Sequence, residues 1–206
     1  MLEVGFIIVA GILLLMAVLC QCWRSAHAKA KAKALAWQEA FDALLLHTLR
    51  TRLTQEEVLR LSEPLHRQYP MHCMVFTGVK SIRESIDMAL GSKNRETAES
   101  RMTYAAELVE RIINEEVPLI AVSPYVLDEI RTTLKDTQEK FKTVVHINAS
   151  RGHVEKALSL KTDKAKRKHF GFAVEEIAKG LATGRGDAVA LASALASVEE
   201  RISQLK

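Results

Sequence analysis

Nineteen consecutive residues, Val4 to Cys22 (VGFIIVAGILLLMAVLCQC), carry no charge, and Trp23 and Arg24 follow at once. As a helix this run is about 28 Å long at 1.5 Å per residue, close to the roughly 30 Å of a bilayer's hydrocarbon core. The run therefore reads as a single transmembrane helix. The competing reading is a cleaved signal peptide, favoured by the small-x-small triplet Ala26-His27-Ala28. Against it stand Glu3 where a signal peptide carries Lys or Arg, an apolar run longer than a removable segment needs, and Arg24 between run and cleavage site. A lipoprotein reading of Cys20 fails because Leu19 precedes it. The segment is read as an uncleaved signal-anchor.

Basic residues near a span stay in the cytoplasm. None precedes the run, whereas Arg24, Lys29, Lys31 and Lys33 follow it. The expected topology is single-pass in the cell membrane, with residues 1–3 outside, residues 4–23 spanning, and the remainder cytoplasmic. Trp23 falls where an interfacial aromatic anchors a helix end. Residues 24–53 form a basic juxtamembrane amphipathic helix, with Trp37, Phe41, Leu44, Leu45 and Thr48 on one face. Residues 54–206 form the soluble domain.

The 183 residues after Trp23 suffice to bury a core. With only nine Gly and four Pro in the whole chain, they favour helices over a loop-rich fold. Thr54-Gln55-Glu56-Glu57 has the form of a capping box. Ser62-Glu63-Pro64 offers another helix start. Val75, Val79, Ile82, Ile86 and Leu90 make a stripe ending at Gly91, a candidate C-cap. Asn94 caps a helix burying Met102, Ala105, Ala106, Val109, Ile112 and Ile113, which stops at Val117-Pro118. Ser123-Pro124 starts a long helix with Leu127, Ile130, Leu134, Phe141, Val144 and Val145, interrupted at Gly152. A final pair carries Phe170, Val174, Ile177 and Leu181, then, after an Asp187 cap, Leu191, Leu195, Val198, Ile202 and Leu205. The last series is spaced like a coiled-coil seam, but two heptads support only packing within the domain or a short oligomer contact.

The fold class is thus mainly α: one transmembrane helix followed by a multi-helix cytoplasmic domain. A small α/β domain is the alternative, because Met71–Phe76, Val117–Val122 and Thr143–Asn148 are short apolar runs that periodicity alone does not separate from strands.

The net charge of +4 is unevenly spread. Arg24 to Leu53 holds six Lys and Arg against two acids, and Arg151 to Phe170 holds seven against two. On a tethered chain, such segments point to anionic head groups, each nearby cation contributing about 1 kcal/mol. The expected lipid or phosphate contacts are Lys29, Lys31, Lys33, Lys161, Lys164, Lys166, Arg167 and Lys168, with Arg151, His153 and Lys156 just upstream. Nucleic acid is the less favoured partner, since no aromatics interleave with these cations and no base-reading motif is present.

Catalytic and metal signals are weak. His66, His72 and Cys73 are close in sequence, but their spacing fits no zinc pattern, and Cys73 lies in an apolar run where a buried, inert thiol is usual. Cys20 and Cys22 are either small apolar residues of the span or juxtamembrane acylation sites. The segment GLATGRGD lacks the Gly-Lys-Ser/Thr of a phosphate loop and reads as a helix end followed by a cap; its Arg185-Gly186-Asp187 triplet is coincidental. No catalytic residue, metal or cofactor is expected. The leading expectation is a non-enzymatic, membrane-anchored interaction or scaffold module at the cytoplasmic face. Its partners are membrane lipids and either a protein or a second copy of itself. Two other readings stay open from sequence: a membrane-associated enzyme built on His66, His72 and Cys73, and an extracytoplasmic coiled-coil envelope protein of reversed topology.

Overall fold

The computed structural model describes the backbone of residues 2–184 and 186–205, and the side chains of these residues except for 2–15, 17, 18 and 119. Among the described residues the α-helices, in chain order, are seven: α1 (Leu2–Arg50), α2 (Gln55–Gln68), α3 (Pro70–Gly91), α4 (Arg95–Arg111), α5 (Pro124–Ser159), α6 (Asp163–Ala182) and α7 (Ala188–Ser203). The chain divides into two compact units, Met1–Ala43 and Leu44–Lys206. The first is helix throughout its described length. Among the described residues no helix is long and apolar enough to cross a membrane. Most side chains of the Val4–Cys22 run lie outside that description, as do Met1 of the N-terminal 1–3 segment and Arg185 of the Arg-Gly-Asp triplet.

No strand occurs among the described residues, so the α/β alternative is set aside. Met71–Phe76 lies within the first two turns of α3, and Thr143–Asn148 lies within α5. Val117–Val122 opens with a tight turn, Val117–Leu119, and then runs extended. The runs in α3 and α5 are continuous because a helix buried on several sides needs no alternation.

The second unit opens with the end of α1, where Leu45, Thr48 and Leu49 are buried. The capping box at Thr54 is formed: the Glu57 N–H donates to Thr54 Oγ1 at 3.3 Å, and the Thr54 N–H to Glu57 Oε2 at 2.8 Å. Pro64 does not open a new helix; α2 continues through it to Gln68. The break comes at Tyr69, which ends α2 and begins α3, with Pro70 in the first turn of α3. There the missing proline N–H leaves no intrahelical bond unmade.

Helix α3 buries Val75, Phe76, Val79, Ile82, Ile86 and Ala89, packing on α4, whose inner face holds Ala98, Met102, Ala105, Leu108 and Val109. Full burial of each large aliphatic or aromatic side chain contributes about 1.5–3 kcal/mol. Asn94 caps α4 as the sequence implies, accepting from the Thr97 N–H at 3.1 Å. At its end α4 widens into a π-helical turn, Ile112–Glu116, closed by the Val117 N–H donating to the Ile112 carbonyl. Ile112 thereby reaches α3 at Gly78, where an added Cβ would lie 2.5 Å from its Cδ1.

Two glycine expectations are corrected. Gly91 is the last residue of α3, without the left-handed backbone of a C-cap. Gly152 does not interrupt α5, which runs 36 residues to Ser159. Its missing side chain instead admits the turn after α3: a Cβ there would sit 3.1 Å from Lys93 Cβ and 3.2 Å from the Lys93 carbonyl oxygen. The Asn148 amide donates to the Leu90 carbonyl at 2.6 Å one turn earlier. α5 packs against α3 and α4 and also against α6 and α7.

The C-terminal three helices share a core of Ala157, Phe170, Ala173, Ile177, Leu191 and Val198, flanked by Leu195, Ile202 and Leu205. The heptad-like stripe of α7 is therefore spent inside the domain. Between α6 and α7, Gly184 adopts φ +59° at the helix end and Gly186 adopts φ +146°. A Cβ on Gly186 would lie 2.6 Å from Thr143 Oγ1, and the neighbouring Asp187 N–H donates to that same oxygen at 2.6 Å. The glycines of GLATGRGD thus dock a turn onto α5.

Candidate functional site

The basic segment Arg151–Phe170 folds as the tip of the α5–α6 hairpin. The last turns of α5 carry Arg151, His153 and Lys156, the connecting turn carries Lys161, and the first two turns of α6 carry Lys164, Lys166, Arg167, Lys168 and His169. Consecutive antiparallel helices with a three-residue connection place both sets at one end of the bundle.

The two acids of the segment are engaged. Glu155 pairs with Lys93, with Nζ 2.7 Å from Oε1, and Asp163 pairs with Lys166 at 3.5 Å. Among the described residues, Arg151, Lys156, Lys161, Lys164, Arg167 and Lys168 have no acidic partner within 4 Å; all six are exposed. Arg167 donates to the Leu205 carbonyl at 3.3 Å, which ties the tip to the end of α7. Unpaired cations so close together raise one another's electrostatic free energy, and a polyanion lowers it.

Sequence reasoning found no aromatic among these cations; the fold supplies one. Phe172, one turn beyond His169, forms a cluster with His153 and His169. The imidazoles stack with centroids 6.1 Å apart and planes 27° apart, and Phe172 lies 5.6 Å from His153 and 5.7 Å from His169. Lys168 Nζ sits 5.7 Å from the Phe172 ring centre. His169 Nδ1 is buried with no hydrogen-bond partner among the described residues. Burial, followed by the charges of Lys156, His153 and Lys168, holds the His169 pKa below its ordinary value. The signal available in the sequence was the i, i+3 spacing of His169 and Phe172; the approach of His153 depended on hairpin register.

Lys29, Lys31 and Lys33 lie in the first unit, on α1, and all three are exposed. The structure does not bring His66, His72 and Cys73 into one constellation. His66 is exposed on α2, whereas His72 and Cys73 lie in the first turn of α3. His72 meets Tyr69 edge to face at 5.6 Å, and its pKa is lowered by burial. The buried Cys73 thiol donates to the Ser62 carbonyl at 3.8 Å, and burial pushes its pKa up. A thiol so placed is a weak nucleophile. No group of three or more potential metal-ligating side chains occurs among the described residues.

A second polar cluster escaped the sequence reading. Glu176 on α6 faces Arg95 at 3.4 Å, Lys179 at 3.1 Å and His146 Nδ1 at 3.8 Å. Gly180 lies flat against the His146 imidazole, 3.0 Å from where its Cβ would be. His146 sits inside the apolar run TVVHIN, and this composition concealed it. The cluster joins the start of α4 to α5 and α6, a structural clasp between helices. The chain matches no protein-family model, no curated protein and no solved structure.

Proposed function

We propose that this chain is a single-pass, membrane-anchored, non-enzymatic interaction or scaffold module. In this reading the Val4–Cys22 helix holds a helical domain at the cytoplasmic face, and the basic residues after the span and at the α5–α6 tip contact anionic phosphates of the bilayer. The observation that carries the reading is the exposure of the described part of the apolar run and its flank: Met16 and Leu19 are 57% and 56% exposed, Cys20 and Cys22 are exposed too, and Trp23 just after the run is 70% exposed. A surface of this kind needs a cover, and a bilayer suits a run without charges that is followed by cations. The exposed Tyr104 and Tyr125 support a partner-binding role for the outer helix faces, since tyrosine is enriched in protein interfaces.

Two measurements test this. Carbonate washing of membranes at high pH leaves an integral protein in the pellet; release into the supernatant would remove the anchor from the proposal. Paired C-terminal fusions to a fluorescent protein and a periplasmic phosphatase report topology. Phosphatase activity without fluorescence would reverse the orientation and with it the lipid face.

A further inference from the structure

We propose that the His153–His169–Phe172 cluster makes the α5–α6 tip a proton-coupled contact for the phosphates of anionic lipids, which grip it more tightly as pH falls below neutrality. The inference rests on the lipid contact proposed above and adds a chemical device to it.

The charges acting on His169 are those of Lys156 and His153 on α5 and Lys168 on α6, while Glu155 is engaged by Lys93 and Asp163 by Lys166. The surroundings are predominantly cationic, and both acids of the tip are occupied. Two stacked imidazoles in that field oppose each other's protonation as well. In the free protein burial and these neighbours therefore disfavour the protonated form of His169.

A phosphate diester seated between Lys156 and Lys168 reverses the local field. It offsets those two cations, accepts from an imidazolium N–H and makes proton uptake by His169 favourable. Linkage is reciprocal: a ligand that raises the pKa of a group binds the protonated form more tightly by the same factor. The proton comes from solvent, and no covalent bond changes. A single-stranded nucleic acid fits less well: Phe172 is 37% exposed but is a single ring, with Phe170 buried and no other Phe, Tyr or Trp in residues 151–172, whereas strand binding stacks successive bases on several aromatics.

The test uses the full chain, labelled with ¹³C-histidine, in neutral maltoside micelles. Histidine ring signals are titrated with and without dioctanoyl phosphatidylglycerol, with dioctanoyl phosphatidylcholine and inorganic phosphate as separate arms and a uridine 20-mer as competitor. The expected result is an upward shift of the His169 pKa by about 0.5–1 unit with phosphatidylglycerol, equivalent to roughly three- to tenfold tighter binding to the protonated form. Phosphatidylcholine and free phosphate should produce little shift. Lys156→Gln with Lys168→Gln should abolish the shift, and His153→Gln with His169→Gln should flatten the pH dependence of lipid binding. Salt-sensitive phosphatidylglycerol binding with unmoved histidine pKa values overturns the proton coupling alone. Absence of phosphatidylglycerol binding at every pH overturns the lipid contact together with it. An equal shift with free phosphate makes the site a phosphate site, and displacement by the 20-mer at lower concentration makes it a nucleic-acid site; either outcome overturns the lipid assignment.

Discussion

Single residues decide how closely these helices approach. Gly186 combines a backbone at φ +146° with a neighbour 2.6 Å from the position of its missing Cβ. We expect Gly186→Ala to cost about 1–3 kcal/mol from backbone strain and the displaced Thr143 contact. Thr143→Val removes the acceptor of the Asp187 N–H and should cost about 1–2 kcal/mol. Urea unfolding followed by circular dichroism measures both; no loss in either variant would mean that the turn does not dock on α5. Histidines set the pH response. Burial lowers the His72 pKa, and burial with neighbouring cations lowers that of His169. As pH falls through about 6.5, the unfolded chain takes up these protons before the folded chain does. Stability present above that pH is then lost progressively, and the loss is complete only below the lowered folded values. The urea midpoint should be lower at pH 5.5 than at pH 7.5, and His72→Gln should reduce the difference. A midpoint rising on acidification would contradict this sign.

At the scale of elements, caps and buried stripes carry the prediction. Asn94→Ala should cost about 0.5–2 kcal/mol by releasing the α4 cap. Leu191→Ala, in the shared core of α5, α6 and α7, should cost about 2–5 kcal/mol. If that second loss were below 0.5 kcal/mol at roughly the resolution of such measurements, α7 would not be seated as described. Much of this layer was legible beforehand. Thr54, Asn94 and Asp187 announced their helices because a side-chain acceptor for free N–H groups is a local matter, settled within four residues. Gly152 and Pro64 misled for the opposite reason. Whether a glycine breaks a helix or admits a neighbour depends on what lies across from it, and the Lys93 turn is some sixty residues away in sequence. The basic tip was legible as charge, since charge adds along a segment. Its His153–His169 stack was not, because it depends on the register of two helices.

For the molecule as a whole, placement at a membrane is the main prediction. The full chain should sediment with membranes after carbonate washing, and a chain starting at Arg24 should lose that behaviour while keeping its helical circular-dichroism signature. Retention in the pellet without the first 23 residues would shift the attachment to another surface. Within Leu44–Lys206, α5 packs against α3, α4, α6 and α7, and Glu176 reaches across to Arg95. A single rod shared by two sets of helices leaves neither set a way to melt alone. Hydrogen exchange of the buried amides of α3 and of α6 should therefore converge on one opening free energy as urea is added. An occupied phosphate at the hairpin tip would then slow exchange along α3 and α4 as well, whose connecting turn already holds Glu155 through Lys93, so that what the tip touches is felt as stiffness through the whole unit.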